Sequence, residues 1–201
     1  MIELRDVGHV HAAGSPWARR ALQHVELDVA IGERIAVVGH NGAGKSTLAE
    51  ILAGVLVPTE GLASLDGTPL DEVDGRLALV LQQARLQLLR PLVRHELEVG
   101  AASRQVRELT GRLGVSHLFE RPVDQLSGGQ QRLVALAGAL LRGRDVLVLD
   151  EPFAGLDGEA SAQLVRILDE IDGTVIVVTH DLAPLAPLAP RVVRLDRGGV
   201  S

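Results

Sequence analysis

Four short runs of the chain hold only aliphatic side chains: residues 35–38 (Ile-Ala-Val-Val), 77–81 (Leu-Ala-Leu-Val-Leu), 146–149 (Val-Leu-Val-Leu) and 175–178 (Val-Ile-Val-Val). A strand with one wet face alternates apolar and polar residues, so the uninterrupted runs 35–38, 146–149 and 175–178 predict strands covered on both faces, and 77–81 is a further strand candidate. Between them the spacing changes. Residues 47–52 read as a helix with Gly54 as its stop and Pro58 beyond. Residues 93–118 set charges among aliphatics at helical intervals, and the Ala-rich run 133–141 predicts a further helix. Strands alternating with helices predict an α/β fold around a largely parallel sheet. Residues 61–65 followed by Asp66-Gly67 read as a strand entering a tight turn, and 191–195 as a last strand. The three prolines within 183–190 preclude a regular helix interior there. No linker composition and no internal repeat interrupts the pattern, so one domain over residues 1–201 is expected.

This core has to be packed almost without aromatics, because the chain has two Phe, one Trp and no Tyr. A formal charge of −6 argues against a broad basic face, and no nucleic-acid partner is expected. The absence of cysteine excludes disulfides, thiolate metal sites and cysteine nucleophiles. The opening residues have neither the basic segment nor the apolar stretch of a secretory signal. No apolar run approaches the ~20 residues that span a bilayer, so any membrane spans are expected from another chain. Of the 20 basic residues the only lysine is Lys45. A compact ammonium kept at one position of an otherwise arginine-using chain points to a site that needs a point charge.

That lysine stands in Gly39-His40-Asn41-Gly42-Ala43-Gly44-Lys45-Ser46-Thr47, directly after one aliphatic run and before a helix. The spacing is that of a phosphate loop. Its glycines let successive backbone N–H groups turn toward phosphate oxygens, and the helix N-terminus adds partial positive charge. Lys45 would reach the outer phosphates, Ser46 would coordinate Mg²⁺, and Thr47 would add a phosphate hydrogen bond. The run 146–149 ends in Asp150-Glu151, two carboxylates at the C-terminal end of a buried strand, where open α/β sheets bind ligands. There Asp150 would hold Mg²⁺ and Glu151 would polarise an attacking water.

A second glycine cradle, Leu126-Ser127-Gly128-Gly129-Gln130-Gln131-Arg132, resembles the signature sequence of ATP-binding cassette (ABC) proteins. A single domain has little use for two anion cradles and one triphosphate. Two copies facing head to tail, with Ser127, Gly128, Gly129 and Gln130 of one capping the nucleotide of the other, would resolve this. The resemblance covers essentially the whole chain. It implies a P-loop NTPase core of the ABC type with a small antiparallel β subdomain and a short helical subdomain over about residues 84–125. It also implies ATP and Mg²⁺ as ligands, and an ATPase partner that is either a second copy or a related chain.

By the same resemblance Ala154-Gly155-Leu156-Asp157 matches the loop that joins the two sites, with Asp157 at its end. His180, in Thr179-His180-Asp181, matches the histidine that contacts the γ-phosphate. Gln82 matches the glutamine that ligates Mg²⁺, with Gln83 adjacent as the alternative. His11 falls where the family stacks an aromatic ring on adenine, with Trp17 as the alternative, and His9 and His11 alternate so that they could share a metal.

Within the superfamily the likeness is to ATPases of energy-coupling-factor (ECF) and cobalt-type importers. It is carried by Gly39-His40-Asn41-Gly42, by Gln87 five positions after Gln82, and by Leu92-Val93-Arg94-His95-Glu96-Leu97-Glu98-Val99-Gly100. It implies a subunit held at the cytoplasmic face of the membrane by a transmembrane partner and driving vitamin or metal-ion uptake. A soluble cassette ATPase of DNA repair, translation or cofactor assembly is the alternative, as is another importer or exporter class. The span between Gln82 and Ser127 is shorter than usual in the family, and the extra C-terminal helices of many relatives are missing.

Overall fold

A computed structural model describes residues 1–99, 101–188 and 190–200. The strands are β1 (Ile2–His11), β2 (Arg19–Val29), β3 (Arg34–Val38), β4 (Glu60–Leu65), β5 (Thr68–Pro69), β6 (Leu77–Val80), β7 (Val146–Asp150), β8 (Thr174–Thr179), β9 (Arg191–Asp196) and β10 (Gly199–Val200). The helices are α1 (Lys45–Leu52), α2 (Val93–Leu97), α3 (Ser103–Arg112), α4 (Gly128–Leu141) and α5 (Gly158–Asp169). One sheet is antiparallel, in the order β2-β1-β4-β5; the other runs β10-β9-β3-β8-β7-β6 and is parallel except for β10.

The aliphatic runs are explained by which face each residue serves. Ile35, Val37, Val146, Val148, Ile176 and Val178 pack toward the antiparallel sheet and α1. Their neighbours Ala36, Leu147, Leu149, Val175 and Val177 pack toward α4 and α5. A central strand between two layers buries both rows, so alternation disappears from its sequence. Each fully buried aliphatic side chain contributes about 1.5–3 kcal/mol of transfer free energy. The Asp66-Gly67 turn between β4 and β5 has both residues at positive φ (52° and 82°), as a two-residue hairpin of this twist requires. The last hairpin, β9–β10, repeats the device with Arg197 and Gly198 (46° and 83°); sequence reading reached β9 but not β10.

The helical spacing of 93–118 does not become one helix. It gives α2, α3 and a 3-10 turn at Ser116–Leu118. The first turn of α2 is tied elsewhere, with Val93 N–H donating to Arg121 O and Arg94 N–H to Phe119 O, and Gly114 at φ 68° follows α3. Gly100, the last residue of the ECF-like stretch, lies outside the described residues, as does Ala189 in the proline-rich stretch. That stretch forms a 3-10 helix, Ala183–Leu188, in keeping with its prolines.

One long-range and one local set of side-chain hydrogen bonds fix the ends of these elements. Arg34 at the start of β3 donates to the carbonyls of Leu168, Asp169 and Ile171 at the end of α5, and to Gly173 O at 2.7 Å. Those of Leu168 and Asp169 lie in the last turn of α5, whose carbonyls a helix leaves without partners of its own. Gln87 serves the sheet edge: its Oε1 accepts from Leu81 N–H at 2.7 Å and its Nε2 donates to Leu79 O at 2.6 Å. The side chain supplies edge strand β6 with the pairing a neighbouring strand would otherwise give.

Candidate functional site

Strands β6, β7, β8 and β3 are neighbours and parallel, so their C-terminal ends meet along one edge. That edge brings together Gln82, Asp150 with Glu151, His180, and loop 39–47, which are far apart in sequence. A cleft of about 410 Å³ is lined by most of residues 41–47, Gln82, Asp150 and Glu151, together with His11, Arg19 and Ala21. An adjoining open cavity of about 1040 Å³ runs past Gly39, His40 and His180 to residues 194–197.

Glycine is dictated at two points of the loop. A Cβ on Gly39 would lie 2.2 Å from Leu195 O in β9, and Gly44, at φ 101°, would put one 2.5 Å from Ala21 O. No larger residue fits without moving backbone. Lys45 is buried, and its Nζ donates to Gly39 O at 2.8 Å and His40 O at 3.1 Å. The ammonium is therefore folded over the loop, and among the described residues its hydrogen bonds go to these two carbonyls.

Asp150 is buried, and burial pushes its carboxyl above the ordinary 3.8. The neighbouring Glu151 charge adds to the rise, while the Ser46 hydroxyl and the Lys45 ammonium oppose it. A carboxylate that is costly to ionise, beside a serine hydroxyl and the Gln82 amide in one cleft, is a set of hard oxygen donors. These donors fit a small divalent cation such as Mg²⁺.

Glu151 is held from β8. Its Oε1 lies 2.8 Å from His180 Nδ1, its Oε2 accepts from the Thr179 hydroxyl at 3.2 Å, and its own N–H donates to Val178 O at 2.8 Å. Its backbone is left-handed at φ 49°, a conformation that non-glycine residues adopt at a cost and that recurs at functional sites. Sequence reasoning did not pick out Thr179; its place immediately before His180 was the available signal. It also passed over Arg132 near the start of α4, which donates to Ala154 O and, at 3.0 Å, to Gln82 O. Burial lowers the pKa of that guanidinium, against the opposing charge of Glu151.

His11 lines the cleft, with its Nε2 3.1 Å from Thr47 Oγ1. Its ring meets the buried His9 edge-on at a centroid distance of 4.7 Å. Burial is the main cause that lowers the His9 pKa, followed by the nearby His11. Among the described residues no cluster of three or more ligating side chains could hold a metal at this pair. Trp17 is 83% exposed in the β1–β2 turn and does not line the cleft.

The structure does not bring the second cradle to this cleft. Ser127 is the N-cap of α4: its hydroxyl accepts from Gln130 N–H at 3.3 Å, and Gln130 Oε1 accepts from Ser127 N–H at 3.0 Å. This reciprocal cap leaves Gly128 open, with nothing within 4 Å of a Cβ built on it, and brings Gly129 against Gly155 O. Asp157 caps α5, accepting from Ala160 N–H at 2.8 Å. None of Ser127, Gly128, Gly129, Gln130 or Asp157 lines the cleft.

The family model described as ABC transporter matches residues 22–154. An uncharacterized ABC transporter ATP-binding protein of Mycobacterium tuberculosis is 44% identical over 209 residues, covering 98% of this chain and 30% of that protein. The chain thus spans less than a third of the length of that relative. The energy-coupling factor transporter ATP-binding protein EcfA of Methanothermobacter thermautotrophicus is 36% identical, covering 98% of this chain and 68% of its own length. Among solved structures, a bacterial ABC transporter cassette in dimeric form aligns with a TM-score of 0.88 at 28% identity, over 100% of this chain and 97% of its own. The same cassette has been solved in a post-hydrolysis state bound to ADP and Pi.

Proposed function

The chain belongs to the ABC transporter family, and from that premise we propose that it is the ATP-hydrolysing subunit of a transporter of the energy-coupling-factor kind. The observation that carries this reading is the division of the motifs: one cleft collects the phosphate loop, both carboxylates and Gln82, while the second glycine cradle faces elsewhere.

On ATP binding, Lys45 exchanges the carbonyls of Gly39 and His40 for phosphate oxygens, joined by the backbone N–H groups of residues 42–47. Ser46, Asp150 and Gln82 are the residues that would hold Mg²⁺. When bound, Mg²⁺ neutralises phosphate charge and polarises the phosphoryl group. Glu151, oriented by Thr179 and His180, accepts a hydrogen bond from the attacking water, and His180 reaches toward the γ-phosphate. Positioning and charge stabilisation, without a covalent intermediate, account for most phosphoryl-transfer catalysis. Ser127, Gly128, Gly129 and Gln130 serve the cleft of a partner ATPase, head to tail, and Asp157 lies on the segment that communicates between the two.

Among the described residues no helix is long and apolar enough to cross a membrane. By likeness to the transporter relatives, a separate transmembrane subunit would supply the pathway and hold this chain at the cytoplasmic face. On the energy-coupling-factor reading, whose named relative is EcfA, the cargo would be a vitamin or metal ion.

Two variants test the reading together. Lys45→Ala should weaken ATP binding at least a hundredfold in a fluorescent-nucleotide titration. Glu151→Gln should keep wild-type ATP affinity, lose turnover, and elute with its ATPase partner as a closed dimer in MgATP. A Lys45→Ala protein with unchanged affinity, or Glu151→Gln hydrolysing at the wild-type rate, would refute it.

A further inference from the structure

Two adjacent arginines at the start of β2 have different fates, because consecutive strand residues point to opposite faces. Arg20 is committed to Glu60 through two bonds, Nη1 to Oε2 at 2.6 Å and Nη2 to Oε1 at 2.9 Å. Arg19 instead lines the phosphate-loop cleft. Its Nη2 lies 3.7 Å from the position a Cβ on Gly42 would occupy. Among the described residues its guanidinium has no carboxylate partner, while Arg20 beside it has one. Its cross-strand neighbour is His11, which sits over the other end of the loop, on Thr47. The hairpin thus sets an imidazole and an unneutralised guanidinium over one anion cradle.

A cation beside a row of inward-turned N–H groups is unfavourable until an anion arrives, and favourable afterwards. We infer that Arg19 is a phosphate-binding residue of this cleft, donating to a phosphate oxygen of the bound nucleotide from the solvent side of the loop. This rests on the nucleotide reading above and adds a residue that the phosphate-loop pattern does not contain. A guanidinium can offer two parallel N–H groups to one phosphate, which an ammonium cannot. The consequence is a shift of binding energy from base to phosphates. His11 offers less stacking area than a larger aromatic ring, and Arg19 compensates electrostatically.

The test is equilibrium binding of ATP, ADP and adenosine to the wild type, Arg19→Ala, Arg19→Lys and Arg20→Ala, at low and high salt. A partly exposed charge-assisted bond corresponds to about a tenfold change in affinity. Arg19→Ala should lose about tenfold for ATP and ADP and nothing for adenosine read by competition. The loss should shrink in high salt, where exposed charges are screened. Arg19→Lys should recover part of it, and Arg20→Ala should stay within twofold of wild type. An Arg19→Ala protein with unchanged ATP affinity overturns the inference, as does equal weakening for ATP and adenosine. A wild-type protein that binds ADP and ATP no better than adenosine would instead sink the phosphate-loop reading, and Arg19 with it.

Discussion

Replacing Thr179 by valine would remove one oxygen from beneath Glu151 and almost nothing else. The side chain is 2% exposed and the two residues are nearly the same shape, so no cavity opens. The hydroxyl proton is shared between Glu151 Oε2 and Asp181 O, each at 3.2 Å, while its oxygen accepts from Asp181 N–H at 3.1 Å. An undivided bond to a carboxylate is worth about 1.5–3 kcal/mol. A donor shared between two acceptors gives Glu151 roughly half of that, about 1 kcal/mol, because the 2.8 Å contact to His180 remains. If that energy holds the carboxylate in line with the attacking water, kcat falls about fivefold. KM for ATP stays put, since Thr179 does not line the nucleotide cleft. Stability falls by about 1 kcal/mol through the lost acceptor of the Asp181 N–H. Steady-state ATPase assays and urea unfolding read these separately. Thr179→Ser, which restores the hydroxyl, should return kcat to within twofold. In a Glu151→Gln background the valine should have no further effect on turnover. Wild-type kcat in Thr179→Val, or a loss confined to KM, would show that this hydroxyl does not position Glu151.

Other consequences are independent of that bond. His11→Tyr should tighten ATP about three- to tenfold, because an aromatic contact is worth about 0.5–1.5 kcal/mol beyond its area; unchanged affinity in nucleotide titrations would remove residue 11 from base binding. Glu33 is bonded to Arg191 at 2.5 Å, which is the main cause holding its carboxyl below the ordinary 4.5 against a smaller opposing effect of burial. A depressed folded-state pKa gives stability that is present above the unfolded value and lost as pH falls through the folded one. The urea-unfolding difference between wild type and Glu33→Gln should therefore hold at neutral pH and close below about pH 4.5; a difference constant down to pH 3 would refute the assignment.

Local chemistry was legible because it is written in neighbouring residues. The phosphate loop, the Asp150-Glu151 strand end, the Ser127-Gly128-Gly129 cradle and the buried runs each fit within about ten positions. Their backbone periodicity or spacing is set by the chain's own geometry. Even the tight turn at Asp66-Gly67 could be read, since only certain residues tolerate positive φ there. The helical spacing of 93–118 misled for the complementary reason. Amphipathic intervals report which residues meet a core, not whether the backbone between them is continuous, and contacts from Phe119 and Arg121 decided where α2 lies.

Only the fold decided which residues share a surface. Strand order puts β8 beside β7, so Thr179 and His180 reach Glu151 across a gap of 28 or 29 positions. Pairing of β1 with β2 sets Arg19 opposite His11, and Arg132 reaches the Gln82 carbonyl 50 residues away. Such pairings depend on how whole elements stack to bury their apolar faces, a sum over many distant contacts that no short window of sequence contains.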